Sequence, residues 1–204
     1  GQLCPVAAIK ITRHNLLRPT AIVHEAGHGV AHVIGWNDEL AQALDAGLQR
    51  QGASAQLAQI WAGWASEIAA DAFSFAHTGF ASIAALHDVL DGDPASVFRY
   101  LHGDPHPISF VRVLLGVQMC RQFYGDGPWD TLARAWTGAQ RLESAPRETR
   151  EIAQDSLALL PAVVRITLQE PMRAFQGRAL CALVPPERVS PVALDELSSR
   201  LGQA

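Results

Sequence analysis

The 204 residues include only three cysteines, Cys4, Cys120 and Cys181. They are odd in number and far apart, which argues against a disulfide framework and for a reducing compartment. They form no C-x-x-C pair, so they make no zinc knuckle. Lysine- or arginine-rich runs are absent, and the net charge is −4. That balance recommends neither nucleic acid nor an anionic membrane as a partner. Charged residues interrupt every apolar stretch well short of the roughly 20 residues a membrane span needs. No secretory signal is visible. The compartment expected from these absences is the cytoplasm. Gly1 stands where a methionine is expected, which suits a fragment of a longer protein. The sequence has no internal repeat, no low-complexity segment and no convincing hairpin.

What is present is 49% hydrophobic and 18% charged, the balance of a soluble globular protein. The apolar residues recur mostly at helical spacing, as Leu40, Ala43, Leu44 and Leu48 do. Helices are expected at 20–35, 37–50, 55–77, 80–90, 94–101, 107–123, 129–142, 147–160, 161–176 and 191–201. Glycine, proline and aspartate clusters separate them, such as Asp91-Gly92-Asp93-Pro94. Asn37 or Asp38 is expected to cap the second helix. Residues 6–12 alternate loosely and form the one expected strand. The fold class is therefore mainly α, with at most a short N-terminal strand. The five tryptophans read as core anchors, with Trp36 and Trp64 near enough to the motifs to wall a cleft.

The informative stretch is TAIVHEAGHGVAHVIG, residues 20–35. Pro19 and Thr20 suit a helix start, and Gly35 suits a stop. Inside lies His24-Glu25-Ala26-Gly27-His28, an H-E-x-x-H pattern. Histidines four apart on a helix share one face, one turn apart. Two imidazoles so placed can bind one zinc ion, with the intervening glutamate in reach of a bound water. His32 lies eight residues past His24, about 12 Å along a helix, so all three histidines do not share an ion. It reads as a neighbour of the cleft or a packed histidine. His14 reads as a surface or capping residue, and His77, His87 and His102 as surface or core residues.

An open zinc site needs a third protein ligand. Glu67 and Asp71 sit four apart in WASEIAADAF, an otherwise apolar helix. Acidic residues are costly to bury unpaired, and a metal with a ligating histidine would pair them. Glu67 is the expected ligand. Asp71, one turn on, is expected to accept a hydrogen bond from a ligating histidine ring.

H-E-x-x-H followed by E-x-x-x-D resembles the gluzincin metallopeptidases. Glu67-Ile68-Ala69-Ala70-Asp71 resembles the E-x-x-A-D segment of the CAAX-prenyl-protease and heat-shock membrane-protease family. His106-Pro107 followed by Arg112 is similar to that family's H-P-x-x-x-x-R pattern. The resemblance covers about 21–112, and the membrane-spanning or lipoprotein segments usual in that family are absent here. It implies a zincin-like catalytic core over 1–125. A helical region at 126–204 would then pack on the core or belong to it. It implies His24, His28 and Glu67 as zinc ligands, Glu25 as catalytic base and Asp71 behind the ligands. His106 or Arg112 would lie near the cleft and help stabilise the oxyanion, with Tyr124 a third choice.

The function expected is a zinc-dependent peptidase acting on protein or peptide substrates, with Glu25 as general base. The sequence says nothing of its oligomeric state. A second reading resembles the AAA-linked membrane proteases, which share H-E-A-G-H and take an aspartate as third ligand. Asp88 and Asp91 are its candidates. A third reading is a non-catalytic helical module that binds a partner protein and keeps a structural or vestigial metal site.

Overall fold

A computed structural model describes residues 19–202, so the expected strand at 6–12 and His14 lie outside the described residues. Among the described residues there are twelve α-helices and no strand, a mainly α fold. The motif helix, α1, is Thr20–Val33. Thr20 makes no side-chain cap; Pro19 occupies the capping position in helical conformation. Gly35, at φ 73°, ends this helix and starts α2, Trp36–Arg50. Glycine adopts that left-handed conformation without steric cost. Asn37 and Asp38 therefore lie inside α2 instead of capping it. Asp38 and Glu39 complement the positive end of the helix from its first turn.

The helix expected at 55–77 is two helices, α3 at Ala55–Gly63 and α4 at Ala65–Thr78. Ser54 caps α3, its hydroxyl accepting from the Leu57 N–H at 3.2 Å. The break falls where Gly63 weakens the helix and the Trp64 N–H bonds to the Trp61 carbonyl at 3.2 Å. Trp61 and Trp64 meet edge to face at 5.3 Å, and both are buried. The break puts Glu67 in the first turn of α4. A carboxylate is favoured there by the helix dipole.

Helix α4 is the axis of the molecule: ten of its 14 residues are buried, so it packs against neighbours on nearly all sides. Helix α1 lies along it, and α2 and α5, Phe80–Leu90, also pack on it. Gly79, at φ 60°, makes the corner between α4 and α5. Helix α6, Pro94–Val97, is shorter than expected and is capped by Asp93. Helix α7, Ser109–Tyr124, packs on α4 and α5 and carries α8, Pro128–Ala139.

Next come α9, Arg147–Leu157, and α10, Leu160–Val164. The helix expected at 161–176 does not persist. It passes into a π turn, Arg165–Gln169, and stops before Pro171. Proline lacks an N–H and disfavours helical conformation in the residue before it. Helix α11, Leu180–Leu183, was not expected from the sequence; α12, Pro191–Leu201, was. One buried cluster runs from Ala31 to Leu180 and crosses position 125 without a break. The Glu39 carboxylate adds a polar tie, accepting from the backbone N–H groups of Arg173 and Ala174 at 2.7 and 2.9 Å. Residues 126–184 thus share the core of the motif helices. None of the helices is long and apolar enough to cross a membrane among the described residues.

Candidate metal centre

The crossing of α1 over α4 builds the site. Gly27 faces α4 so closely that a Cβ there would stand 3.0 Å from the Ala70 Cα and 3.1 Å from the Phe73 Cβ. That close approach lets the side chains flanking the contact meet. His24 and His28 project from α1 with perpendicular rings 4.7 Å apart, their Nε2 atoms 3.1 Å from each other. Glu67 reaches them from α4. Its Oε1 is 3.2 Å from His28 Nε2, and its Oε2 is 3.6 Å from His24 Nε2. Asp71 Oδ1 takes the other nitrogen of His24, Nδ1, at 2.9 Å. Ser66 Oγ stands 3.3 Å from His28 Nδ1. The outer nitrogens are engaged, and both Nε2 atoms face the same point.

His24, His28 and Glu67 form a group of three whose ligand atoms all lie within 4.8 Å of one another. Bonds of about 2.0–2.1 Å in a tetrahedral zinc shell put ligand atoms roughly 3.3 Å apart. The observed separations bracket that value. Two imidazoles and a carboxylate are also the donor set of open zinc sites that keep a position for water. The three residues could therefore hold a metal ion.

Arg112, from α7, closes the back of the site. Its Nε and Nη2 donate to the two Asp71 oxygens at 2.7 and 2.8 Å, and Nη2 also reaches Glu67 Oε2 at 2.8 Å. All three residues are buried. Burial alone would raise the Glu67 and Asp71 pKa values, but it is outweighed. Hydrogen bonds from His24 and His28 and the Arg112 charge hold Glu67 well below the usual carboxylate range. Arg112 and His24 hold Asp71 down likewise. Burial opposes charge on His24 too, yet Asp71 and Glu67 carry its pKa up to about 9. The pocket is thus built to stabilise positive charge between two carboxylates.

The site opens into a cavity of about 410 Å³ whose lining includes Glu25, His106 and Arg112. Glu25 is solvent-exposed on α1. His106 sits just before α7 with its Nε2 3.6 Å from Glu67 Oε1. Asp104 Oδ1 accepts from the His106 backbone N–H at 3.0 Å and holds its Nδ1 at 2.7 Å. Those two bonds keep the Asp104 carboxyl below its usual range.

The structure thus gathers His24, Glu25, His28, Glu67, Asp71, His106 and Arg112 around one cleft. Tyr124 is elsewhere: its hydroxyl donates to the Pro186 carbonyl at 2.9 Å, and its ring packs on Phe75 and Trp129. Trp36 packs on Phe175 and Trp64 on Trp61, so neither walls the cleft. His32, His77 and His102 are exposed, and His87 rests on Trp136. Asp88 and Asp91 lie outside the three-ligand group; Asp91 meets Gln140, and Asp88 meets His87. The sequence reading missed Ser66, Asp104 and the pairing of Arg112 with both carboxylates. For Arg112 a signal existed: it is the one charge in the apolar stretch Phe110–Val117.

Two substitutions test this construction. Asp71→Asn is expected to lower metal affinity about 10- to 100-fold, because a weaker acceptor orients His24 less firmly. Competition against a chromophoric chelator measures it, and unchanged affinity would remove Asp71 from the site. Gly27→Ala is expected to cost about 1–3 kcal/mol of stability, since the atoms it meets are chiefly backbone and yield little. Metal affinity should fall with it, as α1 is pushed off α4. Denaturant unfolding alongside zinc titration gives both numbers; a variant as stable and as tight as wild type would contradict the close-contact account.

Comparison with protein-family models, curated proteins and solved structures finds no match.

Proposed function

We propose that this chain is a zinc-dependent peptidase of the gluzincin kind, with His24, His28 and Glu67 holding the metal and Glu25 as general base. The observation that carries the reading is Glu67 meeting both motif histidines in a cavity that Glu25 also lines. The zinc ion, when bound, would acidify a water molecule and polarise the scissile carbonyl.

The chain's own residues do the rest. Glu25 is not held by the ligand network, so its carboxylate is free to take a proton from the attacking water. The same group then delivers that proton to the departing amine. Asp104 holds His106 through its Nδ1, which leaves its Nε2 to the cleft, where the substrate carbonyl oxygen gains negative charge. A positioned donor of this type stabilises the transition state. Arg112 lines the same cavity, but its Nε and Nη2 are committed to Asp71 and Glu67. It holds the ligands, and His106 is the better oxyanion donor.

The test is digestion of a broad peptide library by zinc-loaded protein, by chelated protein and by chelated protein given zinc again. Cleavage lost on chelation and restored by zinc is expected. Zinc bound at the site with no cleavage across the library would favour the non-catalytic helical module.

A further inference from the structure

A second cleft has no part in the chemistry above. It holds about 240 Å³ between α3 and the segment 100–104 that leads to His106. Gln56 and Gln59 line it from α3, three residues apart and so neighbours on one helix face. Trp64 lines it from the break after α3, and Tyr100 and Asp104 from the facing segment. That segment turns at Gly103, whose φ is 80°, and the Asp104 N–H donates to the Leu101 carbonyl at 3.0 Å. Glycine adopts such a backbone without steric cost.

The cleft offers hydrogen-bonding groups that the fold does not use. Gln56, Gln59 and Tyr100 make no side-chain hydrogen bond among the described residues. Asp104 is the one carboxylate in the lining, which has no lysine or arginine. His106 takes Asp104 Oδ1 twice, through its backbone N–H and its Nδ1. Asp104 Oδ2 accepts no hydrogen bond among the described residues. The exposed Arg99 comes only to 3.9 Å of that oxygen and stands outside the lining. Burial and the nearby Glu148 charge push the Tyr100 hydroxyl up, so a second carboxylate adds to the negative field. A carboxylate oxygen left open in such a field favours a charged donor.

We infer that this cleft seats a basic side chain, arginine or lysine, of the peptide whose main chain enters the metal cavity. Naming that peptide a substrate rests on the zinc-peptidase reading. The cationic head pairs with Asp104 Oδ2, and the glutamine amide oxygens accept its remaining hydrogens. The apolar stem lies along Trp64 and Tyr100. The volume, about 240 Å³, is below the roughly 300–1,000 Å³ of small-molecule sites, so it suits one side chain and not a whole ligand. Asp104 joins the two clefts. Its Oδ1 is 2.7 Å from His106 Nδ1, and His106 Nε2 is 3.6 Å from Glu67 Oε1, so one imidazole separates Asp104 from the metal ligands. About two or three residues of extended chain, at roughly 3.3 Å each, cover that span.

The experiment first titrates metal-free protein with acetyl-Gly-Gly-X-Gly-Gly amides in which X is arginine, citrulline or glutamate. Citrulline keeps the shape of arginine and loses its charge. The amide NMR signals of Gly103 and Asp104 report on the cleft. The arginine peptide is expected to bind about 3- to 10-fold tighter than the citrulline peptide, by a margin that shrinks in high salt. Gln59 is exposed on α3, so Gln59→Lys and Gln59→Glu should keep the fold, which circular dichroism checks. The lysine variant should abolish the preference and the glutamate variant should enlarge it. Equal binding of arginine and citrulline, or a preference unchanged in Gln59→Lys, would overturn the inference. Zinc-loaded protein then digests peptides carrying arginine or citrulline at each position around the cleaved bond. Arginine about two or three residues from that bond is expected to lower KM with little change in kcat. Cleavage indifferent to arginine would overturn the inference and leave the peptidase reading standing. Arginine bound in the cleft with no peptide cleaved would fell the peptidase reading, and the substrate assignment with it.

Discussion

Glu25→Gln is expected to keep its zinc and its fold and to lose most of its peptide hydrolysis. Glu25 is exposed on α1 and outside the three-ligand group, so the substitution leaves the centre assembled. The amide is nearly isosteric but accepts no proton. Loss of a general base typically costs about 10²–10⁴-fold. In the proposed mechanism one carboxylate serves both as base and as acid, so the upper part of that range is expected. Substrate binding should survive, because the three-ligand group is untouched. Steady-state cleavage of a responsive peptide, with zinc measured on the same samples, checks the prediction. Undiminished hydrolysis with zinc retained would refute Glu25 as the base.

Arg112→Met is expected to damage the fold more than any other change at the site. Methionine keeps much of the volume and removes the charge. Glu67 and Asp71 then remain buried without the cation that pairs them. Removing one partner of a buried ion pair costs about 3–5 kcal/mol. The loss should be largest in metal-free protein, where the rings of His24 and His28 are left facing the two carboxylates. Bound zinc replaces part of the missing positive charge, so added zinc should narrow the gap to wild type. Denaturant unfolding of both proteins with and without zinc measures this. A loss below about 1 kcal/mol, or no dependence on zinc, would show that Arg112 does not balance the two carboxylates.

Much of the architecture was legible because it is set locally. Residues 80–90 lie between Gly79 and a turn cluster, and α5 occupies that span. Gly35 punctuates α1 as expected, through its left-handed backbone. The break at Trp64 was not legible, because apolar residues lie on every side of 55–77 and leave no period to interrupt. The stop before Pro171 had a local cause that the apolar pattern around it obscured.

The site divides in the same way. The spacing of His24 and His28 on one helix face is a local fact. Glu67 and Asp71 stood out as a carboxylate pair on an apolar helix. Arg112 meets Asp71 across 41 residues, and Tyr124 meets Pro186 across 62. Such partners depend on how helices cross, which no local pattern encodes. Gly27 looked like an unremarkable filler of the motif. Its role became visible only where α1 and α4 touch.

The central claim is that His24, His28 and Glu67 together hold one metal ion in reach of Glu25. Elemental analysis of wild type and Glu67→Ala, purified in parallel and dialysed against a weak chelator, tests it most directly. The account predicts about one zinc per wild-type chain and much weaker retention in the variant, because two histidines alone leave the ion a single carboxylate short of an open three-ligand site. Zinc held as tightly by Glu67→Ala as by wild type would contradict it, and would return the third ligand to another residue.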